Sequence, residues 1–198
     1  MIGGGVIAFL TVWAIRELFP TCEVTLLAPE PYQRELAQKL GAHEVLGDAP
    51  RDRLPFEVGR RLGTRELRPV IGRGFLAGGY DRIFDCIGSP ESLDDALRVV
   101  GPGGTLVLVG AAGINPNLDL TTVWTKEVKV EGTAYYGYER YKNERRRTFD
   151  ITLELLAGTS RPVGDLITHR FPLDEYARAI EVNLDRRGTR SVKAVMSP

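Results

Sequence analysis

Met1-Ile2-Gly3-Gly4-Gly5-Val6-Ile7-Ala8 is the stretch whose reading decides the fold. Two apolar residues, three glycines and an apolar run read as the end of a β-strand, a turn and the start of a helix. Gly3, Gly5 and Ala8 match the spacing G-x-G-x-x-A. Each position has a use at a strand–helix turn. Gly3 lets the chain turn sharply, Gly5 lets the backbone approach a pyrophosphate, and small Ala8 lets helix and strand pack closely. The helix that follows aims unpaired N–H groups and its positive dipole end at the phosphates.

A glycine-rich loop at a chain terminus would show the same residues, so context decides. An apolar helix is expected over residues 6–19, stopped by Pro20. The run Val24-Thr25-Leu26-Leu27 then reads as a strand. This completes a β-α-β unit within about 30 residues, as a dinucleotide fingerprint requires. A buried strand is commonly about 5–6 residues long, yet only Met1 and Ile2 precede the turn. The expectation is that the chain opens inside its own first strand, as a fragment of a longer protein or with a misplaced start.

A length of 198 residues suits one large domain, or one domain and a piece of another. The composition, 43% hydrophobic and 26% charged, allows a sizeable core. Basic and acidic residues balance at 26 each, which gives no steering toward nucleic acid or an anionic membrane. Cys22 and Cys86 have no metal-ligand spacing and form no disulfide framework, so a cytoplasmic setting is expected. The apolar opening lacks a basic leader, and Arg16 and Glu17 interrupt it before membrane-spanning length. Its apolar residues, among them Val6, Phe9, Leu10, Trp13 and Leu18, lie nearly all round the helix. Such a helix needs cover on two sides: a sheet on one, and on the other a body outside this chain.

Farther along, a helix is expected over 31–40 with Gly41 as its cap, and a strand over 43–46. His43 reads as a surface residue. Residues 48–79 carry seven arginines, Arg51, Arg53, Arg60, Arg61, Arg65, Arg68 and Arg73. Interspersed acids and the lack of interleaved aromatics favour a solvated helix over 54–62 and a flexible loop, rather than an anion site. Strands are expected over 82–87 and 105–109, with a helix over 91–100 capped by Ser89 and a turn at Gly101-Pro102-Gly103-Gly104. Small residues end the strands at Gly3, Ala28, Gly88 and Gly110. The carboxyl ends of parallel strands are where open α/β sheets bind ligands, and small residues there leave room for a flat, extended one. Extended segments are expected over 118–130, a closing strand over 131–137, and a basic amphipathic helix over 140–156. Its Arg145-Arg146-Arg147 run reads as a solvated face. A strand over 167–171, a helix over 174–184 and a strand over 191–196 finish the chain.

Taken together, Ile2-Gly3-Gly4-Gly5-Val6, Gln38-Lys39-Leu40-Gly41-Ala42, Asp85-Cys86-Ile87-Gly88-Ser89-Pro90-Glu91 and Gly101-Pro102-Gly103-Gly104 resemble the medium-chain dehydrogenase/reductase superfamily, and within it the zinc-type alcohol dehydrogenases. Trp124-Thr125-Lys126-Glu127 and Ile167-Thr168-His169-Arg170-Phe171-Pro172-Leu173 extend the likeness over nearly the whole chain. The resemblance implies an α/β, Rossmann-like doubly wound parallel sheet with helices on both faces. It places an NAD(P)-binding domain at 1–137 and, at 138–198, a segment that completes a second, catalytic domain. It implies hydride transfer between NAD or NADP and a small alcohol or carbonyl. The catalytic zinc would belong to a GroES-like N-terminal domain that this chain lacks, leaving the isolated chain inactive and without catalytic or metal residues of its own. A homodimer joined through strands near 114–124 is implied as well.

By position in the motifs, Gly3, Gly5, Val6 and Ile7 would meet the pyrophosphate. Cys86, Ile87 and Gly88 would line the ribose side, Val109, Gly110 and Ala111 the nicotinamide, and Ala134 and Tyr135 its carboxamide. NAD-dependent members carry a carboxylate at the end of the second strand; here Ala28 stands there, with Glu30 and Arg34 nearby. The balance tips slightly toward NADP. Cys86 is not expected to act as a nucleophile, since no base is placed to activate it. Two other readings are a non-catalytic dinucleotide-sensing or binding module and, more remotely, an S-adenosylmethionine methyltransferase.

Overall fold

The computed structural model describes residues 1–47, 50–115 and 117–198. Of the 48–79 and 114–124 stretches singled out above, residues 48, 49 and 116 lie outside the described residues. In chain order the elements are α1 (Val6–Leu18), β1 (Thr25–Leu27), α2 (Pro31–Lys39), β2 (Glu44–Leu46) and α3 (Leu54–Leu62). Next come β3 (Glu66–Leu67), β4 (Phe75–Leu76), β5 (Tyr80–Asp85), α4 (Pro90–Val99) and β6 (Val100–Leu108). They are followed by α5 (Thr121–Thr125), β7 (Lys129–Gly132), β8 (Tyr138–Tyr141), β9 (Glu144–Arg147) and α6 (Thr148–Gly158). The last are β10 (Ile167–Pro172), α7 (Tyr176–Leu184), α8 (Arg186–Thr189) and β11 (Lys193–Ser197).

Parallel strands cannot be joined by a tight turn; each pair needs a crossover, usually a helix. The pairs β1–β2, β5–β6, β6–β7 and β10–β11 are all parallel, and each has at least one helix between its strands. This is the α/β, Rossmann-like class expected from the sequence. By packing, the chain forms two compact units. One is Met1–Gly3 with Asp48–Ala134, the other Gly4–Gly47 with Tyr135–Pro198.

In the first unit, β5, β6 and β7 form one sheet, and Ile2 bridges in parallel to Asp85. Leu54, Val58, Leu76, Ile83, Leu97 and Leu106 are buried and make its core. Helix α4 starts as expected: Ser89 accepts a hydrogen bond from the Ser92 N–H, and Pro90 occupies the first turn. The arginine-rich stretch forms the expected helix over 54–62 and six of its seven arginines are exposed, but the segment beyond the helix carries regular structure of its own. Residues 66–67 and 75–76 pair as an antiparallel hairpin. Arg51 Nε lies 3.0 Å from Asp95, and Arg73 reaches both Asp94 and Asp95 on α4. Arg98, with its side chain 3% exposed, is held by Asp94 at 2.6 Å and Asp119 at 2.8 Å. A buried guanidinium demands such carboxylates, and these acids are what the loop arginines share.

Further elements differ from the sequence expectation. Gly101-Pro102-Gly103-Gly104 is not a turn but a bulge inside β6. The register advances from Val100 to Thr105 while β5 advances only from Tyr80 to Arg82. Buried Lys126 pins the bulge, its Nζ donating to the Val100 carbonyl at 2.6 Å and the Gly78 carbonyl at 3.2 Å. Residues 121–125 are a short helix rather than extended chain. Asp119 accepts from the Thr121 N–H at 2.9 Å, a local bond that competes with strand formation. Closure of the sheet falls to β7, which ends at Gly132. Residues 138–147 are a hairpin rather than the first half of a helix, which starts only at Thr148. Lys142 and Asn143 both have φ near +50 to +65°, the left-handed pair a tight hairpin turn requires. Arg145 lies over the Tyr138 ring at 4.8 Å and Arg146 over Tyr141 at 5.6 Å.

In the second unit, α1 packs on α2 and on a 3₁₀ turn at Val163–Leu166. Phe9, Val12 and Trp13 are buried, as are Leu26, Ala37 and Leu40. The cover expected from outside the chain is thus supplied, at least over the end of α1, by the chain's own C-terminal segment. Trp13 Nε1 donates to the Thr159 hydroxyl at 3.2 Å, and that hydroxyl donates to Glu17 at 2.6 Å. Arg161 also reaches Glu17 at 2.6 Å.

The hydrogen bond from Thr159, and then Arg161, hold the Glu17 carboxyl below its ordinary 4.5, against the opposing effect of burial. A carboxylate with a depressed folded-state pKa stabilises the fold fully above 4.5, and that contribution is lost as pH falls through the folded value. Glu17→Gln is expected to lose about 1–2 kcal/mol at neutral pH. Its thermal midpoint should then fall less steeply than the wild type's between about pH 5 and pH 3. Circular-dichroism melts of both proteins across that range check this.

Candidate functional site

The glycine turn divides between the units, after Gly3. Gly3 has φ +124°, which L side chains rarely adopt, so this position needs glycine as the motif implies. Gly5 precedes α1 in extended conformation, and no side chain caps the helix. The first-turn N–H groups of Val6, Ile7 and Ala8 therefore have no intrahelical or capping partner. A Cβ on Gly5 would meet only Arg186 NH1, at 4.0 Å. Open backbone donors beside a guanidinium are chemically suited to a phosphate.

Gly4 is different. Its space is filled by the Gln33 side chain, which is buried, donates to the Gly4 carbonyl at 3.0 Å and accepts from the Glu30 N–H at 3.1 Å. Gln33 ties the glycine turn to α2, and sequence reasoning missed it. Its signal was the spacing Glu30-x-x-Gln33 before a helix, the pattern of a reciprocal cap.

Around the end of β1, Ala28 is fully buried and its N–H donates to the Leu46 carbonyl at 2.9 Å. Glu30 starts α2 and faces Arg187, whose Nε lies 3.1 Å from its carboxylate. Exposed Arg34 lies over Gly47, so that a Cβ there would collide with the guanidinium. Tyr32 Oη donates to the Arg186 carbonyl at 3.3 Å. Helix α8 thus lies against the start of α2, a neighbourhood with no local sequence signal.

In the first unit, the strand-end residues gather around Asp85. This residue is wholly buried, and its carboxylate accepts from the N–H groups of Ile87 at 2.9 Å and Gly88 at 3.2 Å and from the Ser92 hydroxyl at 2.9 Å. Its carbonyl accepts from Val109 at 2.9 Å and Gly110 at 2.8 Å. Gly88 has φ +80°, and a Cβ on it would lie 2.7 Å from the Ala112 nitrogen. A Cβ on Gly110 would overlap the backbone of Ile87 and Gly88. The two glycines therefore serve a close approach of one strand end to the other. Ile87, half exposed, and Ala111 face solvent, and Cys86 is half-buried with its N–H on the Ile2 carbonyl at 3.0 Å. Ala134 and Tyr135 are exposed, Tyr135 with φ +64°. His43 accepts from the Val24 N–H at 3.0 Å through Nδ1. Among the described residues, no group of three His, Cys, Asp or Glu side chains gathers to hold a metal ion, and no helix is long and apolar enough to cross a membrane.

Gly110→Ala is expected to destabilise the protein by about 2 kcal/mol or more, because backbone cannot move aside as a side chain can. Asp85→Ala should cost about 2–3 kcal/mol by stranding two buried donors, the Gly88 N–H and the Ser92 hydroxyl, and the part-buried Ile87 N–H. Urea unfolding of both variants measures these losses.

The family model described as zinc-binding dehydrogenase matches residues 20–150. L-idonate 5-dehydrogenase of Vitis vinifera is 26% identical over 197 residues, covering 100% of this chain and 48% of the relative. A zinc-binding dehydrogenase structure from Sinorhizobium meliloti, solved bound to NADP, aligns with a TM-score of 0.70 at 23% identity, over 100% of this chain and 51% of that one. A short chain alcohol dehydrogenase from E. coli CFT073, complexed with NADH, aligns with a TM-score of 0.73 at 18% identity, over 100% of this chain and 51% of that one. The chain therefore spans about half the length of the relatives it matches. With the glycine turn, the parallel crossovers and a family match over most of its length, this chain belongs to the zinc-binding dehydrogenase family.

Proposed function

We propose that this chain is the cofactor-binding part of an NAD(P)-dependent oxidoreductase of the zinc-type alcohol dehydrogenase family. The observation that carries the reading is the turn at Gly3-Gly4-Gly5, which opens onto the uncapped first turn of α1 with free space over Gly5. The relatives solved with NADP and NADH support a nicotinamide dinucleotide as the ligand. When bound, that cofactor supplies the hydride acceptor or donor. The residues proposed to hold it are those assigned from the motifs. Gly3, Gly5, Val6 and Ile7 take the pyrophosphate. Ala28, Glu30 and Arg34 take the adenosine ribose. Cys86, Ile87, Gly88, Val109, Gly110, Ala111, Ala134 and Tyr135 take the nicotinamide half.

In this reading, residues 1–137 form the dinucleotide domain, and 138–198 complete a catalytic domain whose zinc ligands lie in an N-terminal part. The reaction is hydride transfer with a small alcohol or carbonyl, in the cytoplasm, by a homodimer, and the isolated chain is inactive. A second reading, a non-catalytic dinucleotide-binding module, is favoured by one observation: the end of α1 is covered by the chain's own C-terminal segment.

Calorimetric titration of the chain with NADH and with NADPH tests the cofactor site. Micromolar binding of at least one is expected, and Gly5→Val should weaken it about tenfold or more by blocking the backbone's approach. No binding of either would overturn the proposal. Turnover of alcohols by the chain alone would overturn its inactivity.

A further inference from the structure

We propose that Arg187 sets the choice between the two cofactors, by neutralising Glu30 and presenting its guanidinium to the 2′-phosphate of NADP. The inference rests on the cofactor reading above. It starts from an ion pair that links sequence-distant residues: Arg187 Nε lies 3.1 Å from Glu30 Oε1. Glu30 is the first carboxylate after β1, where Ala28 offers no acceptor side chain. Unpaired, it would accept a hydrogen bond from a ribose 2′-hydroxyl and repel a 2′-phosphate. Paired with an arginine, it does neither strongly.

The pairing is built, not incidental to a floppy tail. Asp185 accepts from the Gly188 N–H at 3.0 Å and so caps α8, and the Thr189 hydroxyl donates back to the Val182 carbonyl at 2.9 Å. Tyr32 Oη then ties Arg186 to α2. This holds the backbone of Arg187 while its side chain stays 79% exposed. A guanidinium that uses one edge on a carboxylate keeps N–H groups for a phosphate, in the planar fork that phosphates favour. Arg34 lies one turn along α2 from Glu30, and Arg186 lies by Gly5. Three guanidinium groups thus stand beside the carboxylates of Glu30 and Asp185 in this part of the second unit, a basic surplus suited to the more highly charged cofactor.

The test is calorimetric binding of NADPH and NADH to the wild-type chain, Arg187→Ala and Glu30→Gln, with melting curves to verify folding. The wild type is expected to prefer NADPH. Arg187→Ala should weaken NADPH about tenfold or more and leave NADH unchanged or bound more tightly, because it frees Glu30 for the ribose 2′-hydroxyl. Glu30→Gln should keep or strengthen the NADPH preference. Wild-type preference for NADH, or an Arg187→Ala loss that is equal for both cofactors or absent, would overturn this inference and leave the cofactor site standing. Failure of the wild type to bind either cofactor would overturn both readings together.

Discussion

Asp85 is the node on which the first unit depends. A wholly buried carboxylate must find donors, and here it finds three: two N–H groups of the loop leaving β5 and the hydroxyl that opens α4. Its main-chain carbonyl binds the end of β6, and its backbone pairs with Ile2. One residue therefore sets where β5 stops, how the next loop turns, where α4 begins and where β6 ends. The glycines at 88 and 110 follow from it, because strand ends drawn this close leave no room for a Cβ.

The second unit rests on a different kind of constraint. Its first helix is apolar on too many sides to stand with one covered face. The C-terminal segment answers this with Trp13, Thr159, Glu17 and Arg161 in one hydrogen-bonded group. The same C-terminal segment brings α8 to the start of α2, and with it the arginines beside Gly5 and Glu30. Within this unit the chain's last helix helps to shape the surroundings of Gly5.

Much of the fold was legible because it is written locally. The helices at 6–18, 31–39, 54–62 and 90–99 and the strands at 80–85 and 167–172 follow from apolar periodicity, proline and glycine punctuation, and a serine cap. The misreadings have physical causes too. Residues 140–147 carry charges spaced as on a helix, but two left-handed residues at Lys142 and Asn143 turn them into a hairpin stabilised by arginine–tyrosine stacking. The four residues at 101–104 look like a turn because glycine and proline also serve bulges, and only the resumption of pairing with β5 at Thr105 distinguishes the two.

The sequence by itself determined the α/β class, the helix after the glycine turn and the family, since each depends on residue type at short spacing. The positions of Gly3 and Gly5 and the cap at Ser89 belong to the same category. Tertiary structure alone decided what long-range neighbours do: that Arg51, Arg73 and Arg98 share the acids of α4, that Gln33 fills the space of Gly4, and that Arg187 meets Glu30. Electrostatic and packing partners far apart along the chain leave no periodic trace in it. A charge reads as solvated until the fold brings its counter-charge within about 3 Å.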